Sequence, residues 1–366
     1  MKSRIHWLPA HPAEGSASMD RYWRELEKCF AARKIPPFQI RCPLGRAPAR
    51  SSTAGRFRRA FCRYVAYPLR VRMTVRSGVI HILDHSSAHL LPHVPRAVFK
   101  IATVHDLAPL EDPTGLTPAQ LARFRKTASC LNDADLLLSD SAYTARALEK
   151  FLEKKLQISV LPLGVDAADY ALPRTLEISR PLPACPKILS IGASIGRKNL
   201  RVLPEIMSRV IAENGPAALI RVGGRLSGEL LAALQGVMPA EHIVELGALS
   251  EDQLIALYQR MDALVFPSTL EGFGLPVLEA MAAGCPVVCS NASSLPEVGG
   301  EAALYFDPGD PAAAAAQINR LLRQTDLRTQ LVHQGRARAA ELSWDVHAEK
   351  LSEHYQSAIV AGKNRP

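Results

Sequence analysis

The sequence predicts an α/β protein of two doubly wound domains, each a parallel sheet with helices on both faces. Three observations predict it. The chain has 366 residues, about twice the length of a common single domain. Short apolar runs bounded by turn residues alternate with segments of helical period almost throughout, the pattern of repeated β-α units. That alternation breaks once, over the proline-rich stretch 165–186, and a second series follows it.

In the first series, strands are expected at 79–83 (VIHIL), 98–104 (VFKIATV), 135–139 (DLLLS) and 158–163 (ISVLPL), with helices at about 19–32, 117–131 and 141–153. Ser141 suits a helix cap, because its hydroxyl can accept the free amides of the following turn. The second series predicts strands at 187–192, 217–224, 242–247, 263–268, 286–290 and 303–306. Ser250 followed by Glu251 and Asp252 marks a helix start, since acids favour the positive end of the helix dipole, and Asp310-Pro311 marks another over 311–324. The expected division is 1–166, a linker at 167–186, 187–344, and a last helix over 345–366 that packs back on the first domain. Ligands of such sheets bind at the carboxyl ends of strands, so a cleft between the two domains is the expected site.

Composition excludes several classes. At 48% hydrophobic and 22% charged the chain is ordinary globular protein. It has no apolar run long enough to span a membrane, and MKSRIHWLPAHPAEG lacks the core of a signal peptide, so a cytoplasmic protein is expected. Seven cysteines, odd in number and without a C-x-x-C pair, indicate neither a disulfide framework nor a zinc knuckle. The net charge of +9 is unevenly placed. Residues 1–100 hold 19 basic against 5 acidic side chains, whereas the remainder is mildly acidic. Between Arg46 and Arg76 stand nine arginines and no acid, interleaved with Phe57, Phe61, Tyr64, Tyr67 and Leu69. Such a segment, with Arg56, Arg58, Arg59 and Arg63 at its centre, reads as a surface for phosphates, either nucleic acid or anionic lipid, or as a solvated basic face.

The strongest local signal is FPSTLEGFGLPVLEAMAAGCPVVCS (266–290). A strand ends at Pro267, a loop carries Glu271, Gly272-Phe273-Gly274 permits a tight turn, and Leu275 to Ala283 reads as a helix with Glu279 in its second turn. Backbone amides at such a helix start suit a phosphate, and a carboxylate at Glu279 suits sugar or ribose hydroxyls. Arg197 and Lys198 in GASIGRKNL place two cations where a helix start is expected. Cations there oppose the dipole and need a compensating anion. His105 follows an apolar strand and fits either a cleft contact or a satisfied core histidine. The i, i+3, i+4 spacing of His81, Asp84 and His85 does not converge as a metal ligand set.

E-G-F-G-L-P-V-L-E-A-M-A-x-G-x-P-V-V resembles the E-x7-E signature of retaining nucleotide-sugar glycosyltransferases of the GT-B fold, the large glycosyltransferase family 4 that includes sucrose synthases and mannosyltransferases. LPLGVD (161–166), ADLLLSDS (134–141), TVHDL (103–107) and GALS (247–250) with LYQRMDALVFPS are similar to further family stretches in order and spacing. The resemblance covers most of the chain and is weakest over 33–78. It implies two Rossmann-like domains facing across a cleft, a GDP- or UDP-sugar donor, a hydroxyl acceptor on a lipid-linked glycan or polysaccharide precursor, no metal and no cofactor. Carried over residue by residue, it implies that Glu271 holds the donor hexose and Glu279 the ribose. Gly272, Phe273, Gly274 and Leu275 would line the diphosphate, with Leu249 near the base, while Arg197 and Lys198 neutralise the departing diphosphate. His105 would contact the sugar, and Gly15-Ser16 would approach the diphosphate or acceptor. The family's arginine after the glycine at 192 is replaced by Ala193, and its double glycine by Gly15-Ser16. On this reading the arginine segment docks the enzyme peripherally at the inner face of the cell membrane, and no nucleic acid is bound.

Three rivals remain open in the sequence. G-x-S-x-G at Gly192–Gly196 matches the nucleophile elbow of α/β-hydrolases, with Ser194 as nucleophile. A basic-armed nucleic-acid or lipid-binding protein would account for the arginine segment, and a catalytically silent relative of the glycosyltransferases acting as a scaffold would carry the same motifs.

Overall fold

A computed structural model describes residues 5–8, 17–32, 38–39, 58, 60–178 and 181–363. The chain forms two compact units, residues 1–162 with 344–366, and residues 163–343. Gly15, Ser16, Arg56 and Arg59 lie outside the described residues.

The first unit holds a six-stranded, all-parallel sheet of β1 (Ile5–Leu8), β2 (Phe38–Gln39), β3 (Val79–Ile82), β4 (Phe99–Val104), β5 (Leu136–Ser139) and β6 (Gln157–Val160), in the order β2-β1-β3-β4-β5-β6. Its central strands are buried along their whole length, which is why they read as unbroken apolar runs and not as alternating ones. Each fully buried Leu, Ile or Val contributes roughly 1.5–3 kcal/mol over its exposed state. The helix Ala142–Phe151 is capped as its sequence predicts, Ser141 Oγ accepting from the Thr144 amide at 3.1 Å. β1 and β2 are additions to the expected elements. Each is too short, at four and two residues, to carry a periodic signal.

The last helix, Trp344–Lys363, packs on the helix Ala17–Ala32 and on β3 and β4 of this first unit. Polar bonds fix it there. Tyr355 Oη accepts from Trp7 Nε1 at 2.6 Å and lies 2.6 Å from His81 Nδ1, while His81 Nε2 lies 2.8 Å from Thr103 Oγ1. Burial holds the His81 imidazole neutral, its pKa lowered to about 3. The consistent reading is that Tyr355 donates to Nδ1 and Nε2–H donates to Thr103. His81 is therefore a fully engaged core residue.

The second unit holds a parallel sheet of β7 (Lys187–Gly192), β8 (Ala218–Gly223), β9 (Ile243–Leu246), β10 (Ala263–Phe266), β11 (Val287–Ser290) and β12 (Ala303–Phe306), in the order β12-β11-β10-β7-β8-β9. This is the doubly wound order in which the direction of winding reverses between the first and fourth strands, here β7 and β10. The stretch 167–186, expected as linker, opens with the helix Ala167–Ala171, which packs on Leu275–Ala283. Gln259 ties it down by donating to the carbonyls of Tyr170 and Leu172 and accepting from the Arg174 amide. The chain instead passes between units at Pro162–Leu163 and Ser343–Trp344.

Candidate active site

The switch point between β7 and β10 collects the charged groups singled out in the sequence. β7 ends at Gly192, whose φ of +126° turns the chain into a loop, and a Cβ there would meet Lys198 Cε at 3.3 Å. The loop carries Arg197 and Lys198 on a single 3-10 turn, Gly196–Lys198, followed by left-handed Asn199. The expected helix start at these cations is corrected: the helix begins only at Leu203. The compensating anion is Glu271. Lys198 Nζ donates to Glu271 Oε1 at 2.5 Å and sits 4.8 Å from the centre of the Phe266 ring. Arg197 Nη1 donates to the Leu270 carbonyl at 3.1 Å and lies 3.5 Å from Glu271 Oε2.

Glu271 is held from behind by its backbone. Its amide donates to Ser293 Oγ at 2.9 Å, and Ser294 Oγ donates to the carbonyls of Glu271 and Phe273 at 3.0 and 2.8 Å. Gly272, Phe273 and Gly274 are buried, and Gly274 caps the helix Leu275–Ala283 with φ +104°, a left-handed conformation that glycine adopts without strain. A Cβ at Gly274 would also come within 2.6 Å of Leu295 Cδ2. In the first turn of that helix Pro276 has no N–H and the Val277 amide donates to the Gly274 carbonyl at 2.9 Å, so the donors with no helical carbonyl to pair with are the Gly274 and Leu275 amides, at the positive end of the helix dipole. Glu279 is buried one turn on, accepting from Tyr258 Oη at 2.9 Å. Leu249 is half-buried just ahead of Ser250, which caps the helix Glu251–Tyr258.

Sequence reasoning missed three supports of this site. Arg221, in the middle of β8, is buried and donates to the carbonyls of Ser190, Val222 and Gly192, so it fixes the end of β7 from which the cationic loop departs. Its signal was a lone arginine inside the apolar run AALIRVGG. Ser293 and Ser294, the clamp on Glu271, were legible only as polar residues after a strand.

One expectation is corrected. Ser194 is exposed on a bend, its hydroxyl donating to the Gly224 carbonyl at 2.9 Å, and eight residues separate it from the next α-helix. A nucleophile elbow needs a strand-to-helix turn and a base, so Ser194 is not one. His105, expected against the sugar, has both ring nitrogens engaged within the first unit. Nδ1 lies 2.7 Å from Asp140 Oδ2 and Nε2 lies 3.0 Å from the Leu83 carbonyl. Burial alone would lower its pKa, but the Asp140 carboxylate, with Asp84 and the Leu83 carbonyl, outweighs burial and raises it to about 9. An imidazolium donates from both nitrogens, which matches these two acceptors.

Of the arginine segment, Arg58, Arg70, Arg72 and Arg76 are exposed, whereas Arg63 is half-buried and donates to the Ser86 carbonyl at 2.6 Å. A π-turn, Cys62–Ala66, runs into the helix Tyr67–Thr74. Tyr67, Val71 and Val75 enter the core, and Phe61, Val65, Leu69 and Met73, four residues apart, are exposed on another face. Of ten large hydrophobic side chains exposed among the described residues, five fall between Phe61 and Met73, so the apolar exposure is concentrated here.

Fold and site together define a class: two parallel α/β units, one with cations and a helix start gathered at its switch point. Comparison with known proteins agrees. Residues 180–338 match the family model described as glycosyl transferases group 1. O-antigen chain mannosyltransferase B of Escherichia coli is 31% identical over 274 residues, 71% of this chain and 70% of that protein. The MMP alpha-(1->4)-mannosyltransferase of Mycolicibacterium hassiacum is 32% identical over 241 residues, 62% of this chain and 54% of that protein. Among solved structures, sucrose-phosphate synthase from Thermosynechococcus elongatus superposes with a TM-score of 0.76 at 22% identity, covering 98% of this chain and all of the other. The chain belongs to the glycosyl transferases group 1 family, and its fold is GT-B.

Proposed function

We propose that the protein transfers a hexose, with mannose the favoured sugar, from a GDP- or UDP-linked donor to a hydroxyl acceptor, with retention of configuration and without a metal. The observation that carries this is the Lys198–Glu271 pair at the β7/β10 switch point, beside the start of the helix Leu275–Ala283. Likeness to two mannosyltransferases supports the choice of sugar.

When the donor binds, its diphosphate competes with Glu271 for Lys198 and Arg197. Lys198 turns to the diphosphate, and the Gly274 and Leu275 amides add donors to it. Glu271 is released toward the hexose, where its carboxylate accepts hydroxyl hydrogen bonds and stabilises the positive charge developing at the anomeric carbon. Glu279 accepts from the ribose hydroxyls. The anomeric C–O bond to phosphate breaks with its electron pair going to the nucleoside diphosphate. The acceptor oxygen bonds to the same face, and its proton passes to the departing phosphate oxygen. Two cations and fixed amides meet the growing negative charge, a task performed elsewhere by a metal ion.

The exposed stripe Phe61, Val65, Leu69, Met73 with Arg58, Arg70, Arg72 and Arg76 supports a peripheral site on an anionic membrane and a lipid-linked acceptor. Apolar side chains enter the headgroup region while arginines pair with phosphates. Among the described residues no helix is long and apolar enough to cross a membrane. Incubation of the purified protein with GDP-mannose and, separately, UDP-hexoses tests the reading. Release of nucleoside diphosphate, with proton NMR of the product giving the donor's anomeric configuration, is expected. No turnover with any nucleotide sugar, or an inverted product, overturns it.

A further inference from the structure

The first unit has a switch point of its own. In the order β2-β1-β3-β4-β5-β6 the winding reverses between β1 and β3, and ligands of such sheets bind outside the carboxyl ends of those strands. A cavity of about 350 Å³ opens on the β3 side of this sheet, lined by His85 and Ser86, three and four residues past the end of β3, by Arg63 and Tyr64, and by Arg123 and Phe124 of the helix Pro118–Ser129.

Its chemistry is specific. Arg63 is held in place by its bond to the Ser86 carbonyl. Arg123 forms no hydrogen bond or ion pair with any described residue, so its charge is available to a ligand. His85 packs edge-on against Phe124 at 5.7 Å, and Ser86 Oγ is buried without a hydrogen-bond partner among the described residues. A buried hydroxyl left unpaired costs about 1–3 kcal/mol unless a ligand satisfies it. Tyr64 lines the cavity and also stands exposed beside Phe61 and Val65, so one segment supplies both the cavity wall and the apolar stripe.

We propose that this cavity binds the phosphate of a lipid-linked acceptor, with Arg123 and Arg63 as its cations, Ser86 as an added donor, and the lipid running onto the Phe61–Met73 stripe. The proposal rests on the transferase reading above and names its acceptor subsite. Two arginines flanked by aromatic walls suit a phosphate joined to an apolar or glycan body better than a free ion.

Farnesyl diphosphate, inorganic pyrophosphate and farnesol, titrated calorimetrically into the whole protein, test it. Farnesyl diphosphate is expected to bind most tightly. Arg123→Gln, a surface change that leaves the fold intact, should weaken it about tenfold, the loss of one charged hydrogen bond. Lys198→Ala should leave its affinity unchanged, and Arg123→Gln should leave slow donor hydrolysis unchanged. Unaltered affinity in Arg123→Gln overturns the proposal, as does loss of binding in Lys198→Ala, which would put the probe at the donor loop. Equal, Arg123-dependent binding of pyrophosphate overturns the lipid-linked source. Failure of the transferase reading is seen separately, as absence of donor hydrolysis in the unaltered protein.

Discussion

Each unit places a cation–carboxylate pair just beyond the carboxyl ends of its strands, yet the two pairs are built for different ends. His105 and Asp140 lie on rigid strand ends, their side chains 9% and 2% exposed, and both histidine nitrogens are saturated. Lys198 and Glu271 sit on loops that turn at Gly192 and Gly274, and the lysine head group has one carboxylate and one ring face as its partners. A pair with saturated hydrogen bonds on a rigid frame holds a fold together. A pair that bridges two loops beside a helix start is, on the function proposed above, one that exchanges its partner for a phosphate. Sequence alone singled out His105, Lys198 and Glu271 but not Asp140, and the difference between the pairs lies in what surrounds them.

The comparison breaks first at the largest effect. His105→Ala removes one partner of a buried pair and should destabilise the protein by about 3 kcal/mol or more, read by chemical denaturation, with transfer chemistry in the surviving folded fraction little changed. Full activity loss at unchanged stability would make His105 a ligand contact after all. Lys198→Ala and Glu271→Ala should do the opposite, each costing at least ~2 kcal/mol of transition-state stabilisation at saturating donor while shifting stability less than His105→Ala does.

A pH titration sharpens the same contrast. His105 has a folded pKa of about 9 against 6.5 unfolded, so its contribution to stability is complete below about pH 6.5 and is lost as pH rises through 9. Stability of the unaltered protein should therefore fall between those values by a margin that His105→Ala no longer shows. An identical pH profile in both proteins would remove the imidazolium assignment. Gly274→Ala should cost about 1–3 kcal/mol, from a left-handed φ imposed on a residue with a Cβ, and weaken donor binding with it. The smallest effect belongs to the membrane surface. Each of Arg70, Arg72 and Arg76 replaced by serine should weaken binding to anionic vesicles by about 1 kcal/mol, and co-sedimentation unchanged in the triple variant would show that the stripe faces something else.

Much of the fold was legible because a strand buried on both faces must be apolar throughout. The ten strands from β3 to β12 were expected within a few residues of their bounds, among them β3, β4, β5, β10 and β11, which are of that kind, and the helix Leu275–Ala283 was expected at both ends. β1 and β2 were not, since a four-residue strand containing His6 and a two-residue edge strand have no pattern to read. Glu271 stood out in the sequence through the strand–loop–GFG–helix motif, and Arg197 and Lys198 as cations at an expected helix start. Their pairing was not, because it joins positions 73 residues apart through the β7–β10 neighbourhood. Arg221 was overlooked because a charge in a strand reads as an exposed edge, whereas here three carbonyls satisfy it inside the sheet. The arginine segment showed its charge but not its division into Arg63, anchored on Ser86, and the exposed arginines beside an apolar face.

The central claim is that Lys198 leaves Glu271 for the donor diphosphate during transfer. Turnover of Lys198→Ala, measured at saturating nucleotide-diphosphate mannose with unaltered protein in parallel, tests it most directly. The account predicts a fall of at least about thirtyfold, the equivalent of ~2 kcal/mol, with the protein still folded and donor still bound. Turnover within twofold of the unaltered protein would contradict it.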